Sequence, residues 1–302
     1  MSRRKAEAAL IGNTVVWGAT FVLVKAAIQE MSPLLFLAFR FTVAAGVIGV
    51  IAAMKRDVAV PRRLGDLPHK SDKRKEWLAG GLCGVFLFCG YLFQTLGLRL
   101  TSAPKSAFLT GMTSVVAPFL AALVYKIRPQ RSEVIGVFVA TAGLGLMTLQ
   151  GAIGSMSRGD LLTLICAFGF AAHIVTVGHF SEQMSFEVLS VAQIAAAAGL
   201  FLGCFWWMEQ PQVAWRPVVI CAILITGTIA TALAFTIQAW AQQYTTATRT
   251  ALIYMLEPVF AWMTSYFLAG EGLSARAAAG AALILGGVWL VEMKPLNAVN
   301  HP

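Results

Sequence analysis

Ten apolar stretches, each about as long as a bilayer is thick, limit what this chain can fold into. They run over 9–28, 33–54, 77–98, 105–125, 133–149, 160–180, 187–208, 217–241, 247–268 and 273–292. A hydrocarbon core of about 30 Å takes roughly 20 apolar residues in a helix. Inside lipid, a helix satisfies its own backbone polar groups, as an open sheet cannot. The alternating ten-residue pattern of a transmembrane β-barrel is absent. Composition agrees: hydrophobic residues are 58% and charged residues 12%, against about 25% charged in soluble domains. So few charges cannot coat a soluble surface, and the same figures exclude disorder, collagen, coiled coil and a disulfide scaffold. The sequence therefore predicts an all-α membrane protein of ten transmembrane helices.

The distribution of Lys and Arg predicts the orientation. With the N-terminus in the cytoplasm, sixteen of the 23 basic residues fall on the inner side and five on the outer; Lys25 and Arg40 lie within spans. Eight of the sixteen belong to the linker Lys55–Glu76, where Pro61 and Pro68 oppose a continuous helix. Positive-inside bias then places both termini in the cytoplasm of a bacterial-type inner membrane. The formal charge of +9 sits on that rim, so nucleic acid is not needed to explain it. The first stretch is too long for a cleaved signal and carries Asn13 and Lys25, so it reads as a retained helix. All five cysteines fall in apolar runs without metal or redox spacing; they read as packing residues, and no metal site or cofactor is expected.

The chain repeats itself. A shift of 153 over the first 54 residues places Trp17 on Phe170, Thr20 on His173 and Arg40 on Gln193. From the third stretch the shift is 144: Gln94 falls on Gln238, Lys105 on Arg249, Gly136 on Gly280. The boundary divides the chain into 1–150 and 151–302. Five spans per half is an odd number, so the second half enters from the opposite side, giving a 5+5 inverted repeat. Inverted repeats around a central site are a recurring transporter design. Pro118 and Pro258 sit in matching spans but differ by 140 rather than 144, one helical turn out of register. Each reads as a fixed kink or as a hinge.

Particular residues resemble the drug/metabolite transporter superfamily, EamA type. They are Trp17-Gly18-Ala19-Thr20-Phe21, Arg40-Phe41, Gln94-Thr95-Leu96-Gly97-Leu98, Thr101-Ser102-Ala103, Ala107-Phe108-Leu109-Thr110-Gly111, Leu256-Glu257-Pro258-Val259 and Gly270-Glu271. They run in order through both repeats. The resemblance implies the 5+5 bundle and export of amino acids or other small metabolites, commonly driven by ion gradients. Ile127 stands where symmetry with Glu271 would ask for an acid.

Polar groups within spans mark a candidate solute path. Asn13, Trp17, Thr20 and Val24 share one helical face, as do their mates Cys166, Phe170, His173 and Val177. Thr110 and Thr113 match Tyr254 and Glu257, and Gln94 matches Gln238. With Arg40 these predict a mostly apolar pocket holding a few polar groups. Trp17 and Phe170 also read as core packing, the glutamines as interhelical bonds, His173 as a packed neutral imidazole, Lys25 as a snorkelling cation. Arg40 reads as an anion ligand or a structural salt bridge. Glu257 stands as the one acid well inside a span. An ionised carboxylate there costs at least about 2.5–3.5 kcal/mol on insertion scales, so it needs a partner such as Arg249 or Arg40, or a neutral form. A group neutral on one side and ionised on the other carries a proton.

Gly136, Gly143 and Gly145 in the fifth span, with Gly280, Gly286 and Gly287 in the tenth, predict close helix packing within the bundle or a homodimer seam. No nucleophile elbow, HExxH, Walker A or aspartate-rich motif is present, which argues against a catalytic site. The reading is a non-enzymatic exporter of small metabolites; a membrane-embedded enzyme and a non-transporting sensor or lipid-binding protein are the competitors.

Overall fold

The structure is a computed structural model, and it describes residues 3–56, 73–101, 103–126, 129–149, 156–269 and 274–292. Most of the basic linker, Ile127, Gly270-Glu271 and the C-terminal Lys294 lie outside the described residues. Helices make up most of the described chain. It comprises α1 (Arg3–Glu30), α2 (Pro33–Arg56), α3 (Lys73–Leu98), α4 (Ala103–Gly111), α5 (Thr113–Tyr125), α6 (Arg131–Thr148), α7 (Arg158–Ser181) and α8 (Phe186–Met208). Then come α9 (Pro217–Gly227), a π-helical turn (Thr228–Leu233), α10 (Ala234–Ala241), α11 (Ala247–Tyr254), α12 (Glu257–Ala269) and α13 (Ala275–Glu292). Among the described residues the only β contact is an isolated antiparallel bridge, Met31 with Val213.

Seven helical stretches are long and apolar enough to cross a membrane, or eight with α1, which bends by 42° between Thr20 and Val22. The last two expected spans take different forms. The ninth is divided into α11 and α12, and the tenth holds a shorter apolar helix, Ala275–Val291. Large apolar side chains such as Phe119, Leu123, Phe138, Trp207, Phe267 and Trp289 point outward, as lipid requires. Small residues and Leu, Ile and Phe fill two main interior clusters, one centred on α2, α3 and α8, the other on α6, α11 and α13.

Contacts between the halves come in matched sets. α1 packs on α12 and α11 as α7 packs on α5 and α4. α3 packs on α7 as α1 does on α9 and α10, while α2 meets α8 and α6 meets α13. The α6–α13 seam accounts for four glycines. A Cβ on Gly143 would stand 2.6 Å from the Gly280 carbonyl, and one on Gly136 2.8 Å from the Gly287 carbonyl. These four are occupied within the chain, and Gly286 faces open space.

Three helix interruptions went unpredicted. Met112 separates α4 from α5, and Met255-Leu256 separate α11 from α12; Met112 and Leu256 differ by 144 in number. Both breaks are closed by short-range bonds, Met112 N–H to Leu109 O at 3.2 Å and Leu256 N–H to Ile253 O at 3.0 Å. Pro258 is therefore the second residue of a new helix, where its missing N–H costs nothing, rather than a residue mid-helix. Pro118 does lie inside α5. The third interruption is the π turn in the eighth span. Its sequence, Thr228 to Leu233, is β-branched and apolar with no breaker, so nothing local announced it.

Candidate functional site

The π turn organises the centre of the bundle. Such turns misalign the i→i−4 ladder and leave carbonyls for other donors. The Ala230 carbonyl accepts the Trp17 indole N–H at 2.7 Å and an Arg40 Nη2–H at 3.2 Å. Arg40 Nε donates to the Thr231 hydroxyl at 2.7 Å. One turn along, the Ala234 carbonyl accepts Asn13 Nδ2–H at 2.8 Å. Asn13 and Trp17 thus share the face their spacing predicts, and it lies against the eighth span. Thr20, on the same face, bonds back to Val16 and Trp17 carbonyls of its own helix.

Two aromatic residues that the sequence reading passed over tie the site together. Phe235 touches the rings of Trp17 at 5.7 Å, His173 at 5.5 Å and Tyr91 at 6.4 Å. Tyr91 touches Phe170 at 5.2 Å, and the Arg40 guanidinium sits over its ring at 5.3 Å. Trp17 meets Tyr254 edge-on at 4.8 Å. Tyr91 and Phe235 differ by 144 and lie three residues before Gln94 and Gln238; this matched aromatic pair was the available signal. The cluster therefore brings Trp17, Arg40, Phe170, His173 and Tyr254 into one group.

Glu257 opens α12 beside this group and is half-buried. Its carboxyl feels the positive charge of Arg40, yet it makes no hydrogen bond or ion pair among the described residues. The expected partner Arg249 is engaged elsewhere, by Glu7 at 3.4 Å and Glu133 at 3.9 Å. The Tyr254 hydroxyl is also buried without a hydrogen bond among the described residues. An acid and a phenol thus stand unpartnered, one turn apart, at the α11–α12 break.

The remaining candidates divide between two neighbouring groups. Gln94 Nε2 reaches the Thr110 hydroxyl at 3.5 Å, Thr110 meets the Cys166 thiol at 3.8 Å, and Thr113 donates to the Ala167 carbonyl at 3.4 Å. These continue along α7, one turn from Phe170. Gln238 instead donates to Gln242 at 3.0 Å, which donates to the Ile174 carbonyl at 2.8 Å. That is an interhelical chain with every step satisfied. His173 pairs with Gln193, the repeat mate of Arg40, at 2.8 Å and is buried.

Acids at helix ends also escaped the sequence reading. Glu7, Glu133 and Asp160 are all buried. Asp160 and Glu133 sit three residues into their helices in capping boxes with Ser157 and Gln130, a pattern the sequence does display. Among the described residues no group of three or more His, Cys, Asp or Glu could hold a metal.

The chain matches the EamA-like transporter family twice, over residues 4–149 and 157–293. It is similar to an uncharacterized transporter of Archaeoglobus fulgidus, 32% identical over 97% of this chain and 88% of that protein. It is also similar to a probable amino-acid metabolite efflux pump of Salmonella typhimurium, 29% identical over 96% of this chain and 95% of that one. A solved crystal structure shares the fold with a TM-score of 0.77 at 21% identity, covering 96% of this chain and 97% of the other. A helical bundle with several spans and this family match is a multi-pass membrane transporter, and the chain belongs to the EamA-like transporter family of drug/metabolite transporters.

Proposed function

We propose that this protein exports amino acids or similar small metabolites across an inner membrane, coupled to an ion gradient. The two inverted halves rock about the aromatic cluster, with both termini in the cytoplasm and no catalytic step. The observation that carries the reading is the carboxyl of Glu257, which has no hydrogen bond or ion pair among the described residues, feels the positive charge of Arg40, and stands three residues after Tyr254 of the aromatic cluster. Arg40 Nη1 makes no hydrogen bond among the described residues. A carboxyl and a guanidinium, each with hydrogen-bonding capacity left over among the described residues, complement the ammonium and carboxylate of a zwitterion. The similar efflux pump of Salmonella typhimurium supports the same substrate class.

The deciding experiment is a flux screen in proteoliposomes with metabolite mixtures read by mass spectrometry, followed by Glu257→Gln. The amide keeps the shape and removes titration. If Glu257 carries a proton, the variant exchanges substrate but loses accumulation driven by a pH gradient. If it holds the substrate ammonium, exchange itself fails. Wild-type behaviour in both assays removes Glu257 from the site, and absence of flux for every small metabolite refutes the export reading.

A further inference from the structure

The same three-residue ion clamp is built at both ends of the bundle, each time bridging the two halves. At one end Asp160 accepts the Thr101 hydroxyl at 2.5 Å and the Lys105 ammonium at 2.5 Å. At the other, Glu7 accepts the Thr245 hydroxyl at 3.2 Å and the Arg249 guanidinium at 3.4 Å. Thr101 and Lys105 become Thr245 and Arg249 by the shift of 144, and Glu7 becomes Asp160 by the shift of 153. In each clamp the acid belongs to one half and the threonine and cation to the other.

The clamps lie far apart. Glu7 sits near the start of α1, and α1 continues to Glu30, roughly 35 Å further at 1.5 Å per residue. The Asp160 clamp belongs to that far end. Arg99, two residues before Thr101, lies 3.9 Å from Glu209, and Glu209 accepts the backbone N–H of Leu35 just beyond α1.

We infer that these clamps are the two gates of the transport cycle, an inference that rests on the transport reading above. Separation of the halves at either end must break the clamp at that end. A buried pair is costly to break in a dry interior, whereas water entering an opening mouth rehydrates both charges. Each clamp therefore yields where the path opens and holds where it is shut. The gates are unequal. Lys105 is 24% exposed and pairs with Asp160 at 2.5 Å. Arg249 is fully buried and has a second carboxylate, Glu133, at 3.9 Å. The repeat mate of Glu133 is Ala277, so the repeat does not carry this acid over to the other end.

Cys166 reports the state of both gates. It is native, wholly buried and in contact with Thr110 beside the central site. Its alkylation by an impermeant thiol reagent, resolved by peptide mass spectrometry, is measured in intact cells and in inverted membrane vesicles. Lys105→Gln should raise labelling from one face by about tenfold, as when a minor open state becomes dominant. Arg249→Gln should raise it from the opposite face only. The exchange Lys105→Asp with Asp160→Lys should restore protection. Thr101→Val and Thr245→Val should act in the same senses more weakly; they leave no charge unpaired, so they serve if the charge variants fail to fold. Labelling unchanged in every folded variant, or raised from the same face by both ends, overturns the assignment. Labelling needs no substrate, so face-specific exposure without metabolite flux would spare the gates and sink the transport reading instead.

Discussion

Alanine at Gly143 should destabilise the protein, whereas alanine at Gly286, one helix away, should stabilise it. The two sites share residue type and helical backbone and differ in what a methyl group would meet. At Gly143 the added carbon would lie 2.6 Å from the Gly280 carbonyl and 2.8 Å from the Ile284 nitrogen, both backbone atoms. The α6–α13 seam would have to give by about 0.8 Å to reach the 3.4 Å at which ordinary contact begins. Overpacking of this kind costs about 1–3 kcal/mol. Alanine recovers about 1 kcal/mol of helix propensity, so the net loss is about 0–2 kcal/mol. At Gly286 nothing lies within 4 Å, and the propensity gain of about 1 kcal/mol stands alone. Thermal unfolding of the purified protein, followed by tryptophan fluorescence, compares the two directly. A Gly143→Ala midpoint equal to or above that of Gly286→Ala would refute the close seam.

Arg40→Met should lower the unfolding midpoint well below that of Arg99→Met. Arg40 is buried with bonds to Thr231, Ala230 and Tyr91, each charge-assisted bond worth about 1.5–3 kcal/mol; Arg99 is 48% exposed in a 3.9 Å pair worth about 0–1 kcal/mol. Equal midpoints would contradict this. At the loop after α8, burial pushes the Glu209 carboxyl above its ordinary value, against the Leu35 N–H and Arg99. The folded state then favours the neutral acid, so this group's contribution to stability falls as pH rises from the ordinary to the raised value. Glu209→Gln should flatten that slope and be no less stable at pH 7, read from midpoints across the weakly acidic range. For orientation, a cysteine at Ser71 in a background without the five native ones should resist impermeant reagent in intact cells; ready labelling there reverses the proposed topology.

Gln94→Ala and Gln238→Ala separate two residues that look equivalent in the repeat. Gln94 is held by one 3.5 Å contact, while Gln238 feeds a satisfied chain through Gln242 to Ile174. The first should alter substrate choice with little change in midpoint, the second should lower the midpoint.

The membrane nature of the chain was legible without coordinates, because lipid leaves a spanning segment almost no choice of structure and a run of 20 apolar residues records that constraint directly. The family was legible for a related reason: the motifs around Trp17, Arg40, Gln94 and Glu257 hold their order across both matched segments. Helical spacing alone placed Asn13 and Trp17 on one face. What spacing cannot specify is which groups meet between helices far apart in sequence. That Arg40 reaches Thr231, that Arg249 turns to Glu7 and leaves Glu257 without it, and that Tyr91 and Phe235 join the site all follow from packing across the two halves. The π turn shows the same division. Thr228–Leu233 is an ordinary helical sequence locally, and its departure from α geometry is compensated by donors from Trp17 and Arg40 on other helices. Local propensity is a property of the segment, whereas the partners of a freed carbonyl belong to the assembled bundle, and only the tertiary structure decides them.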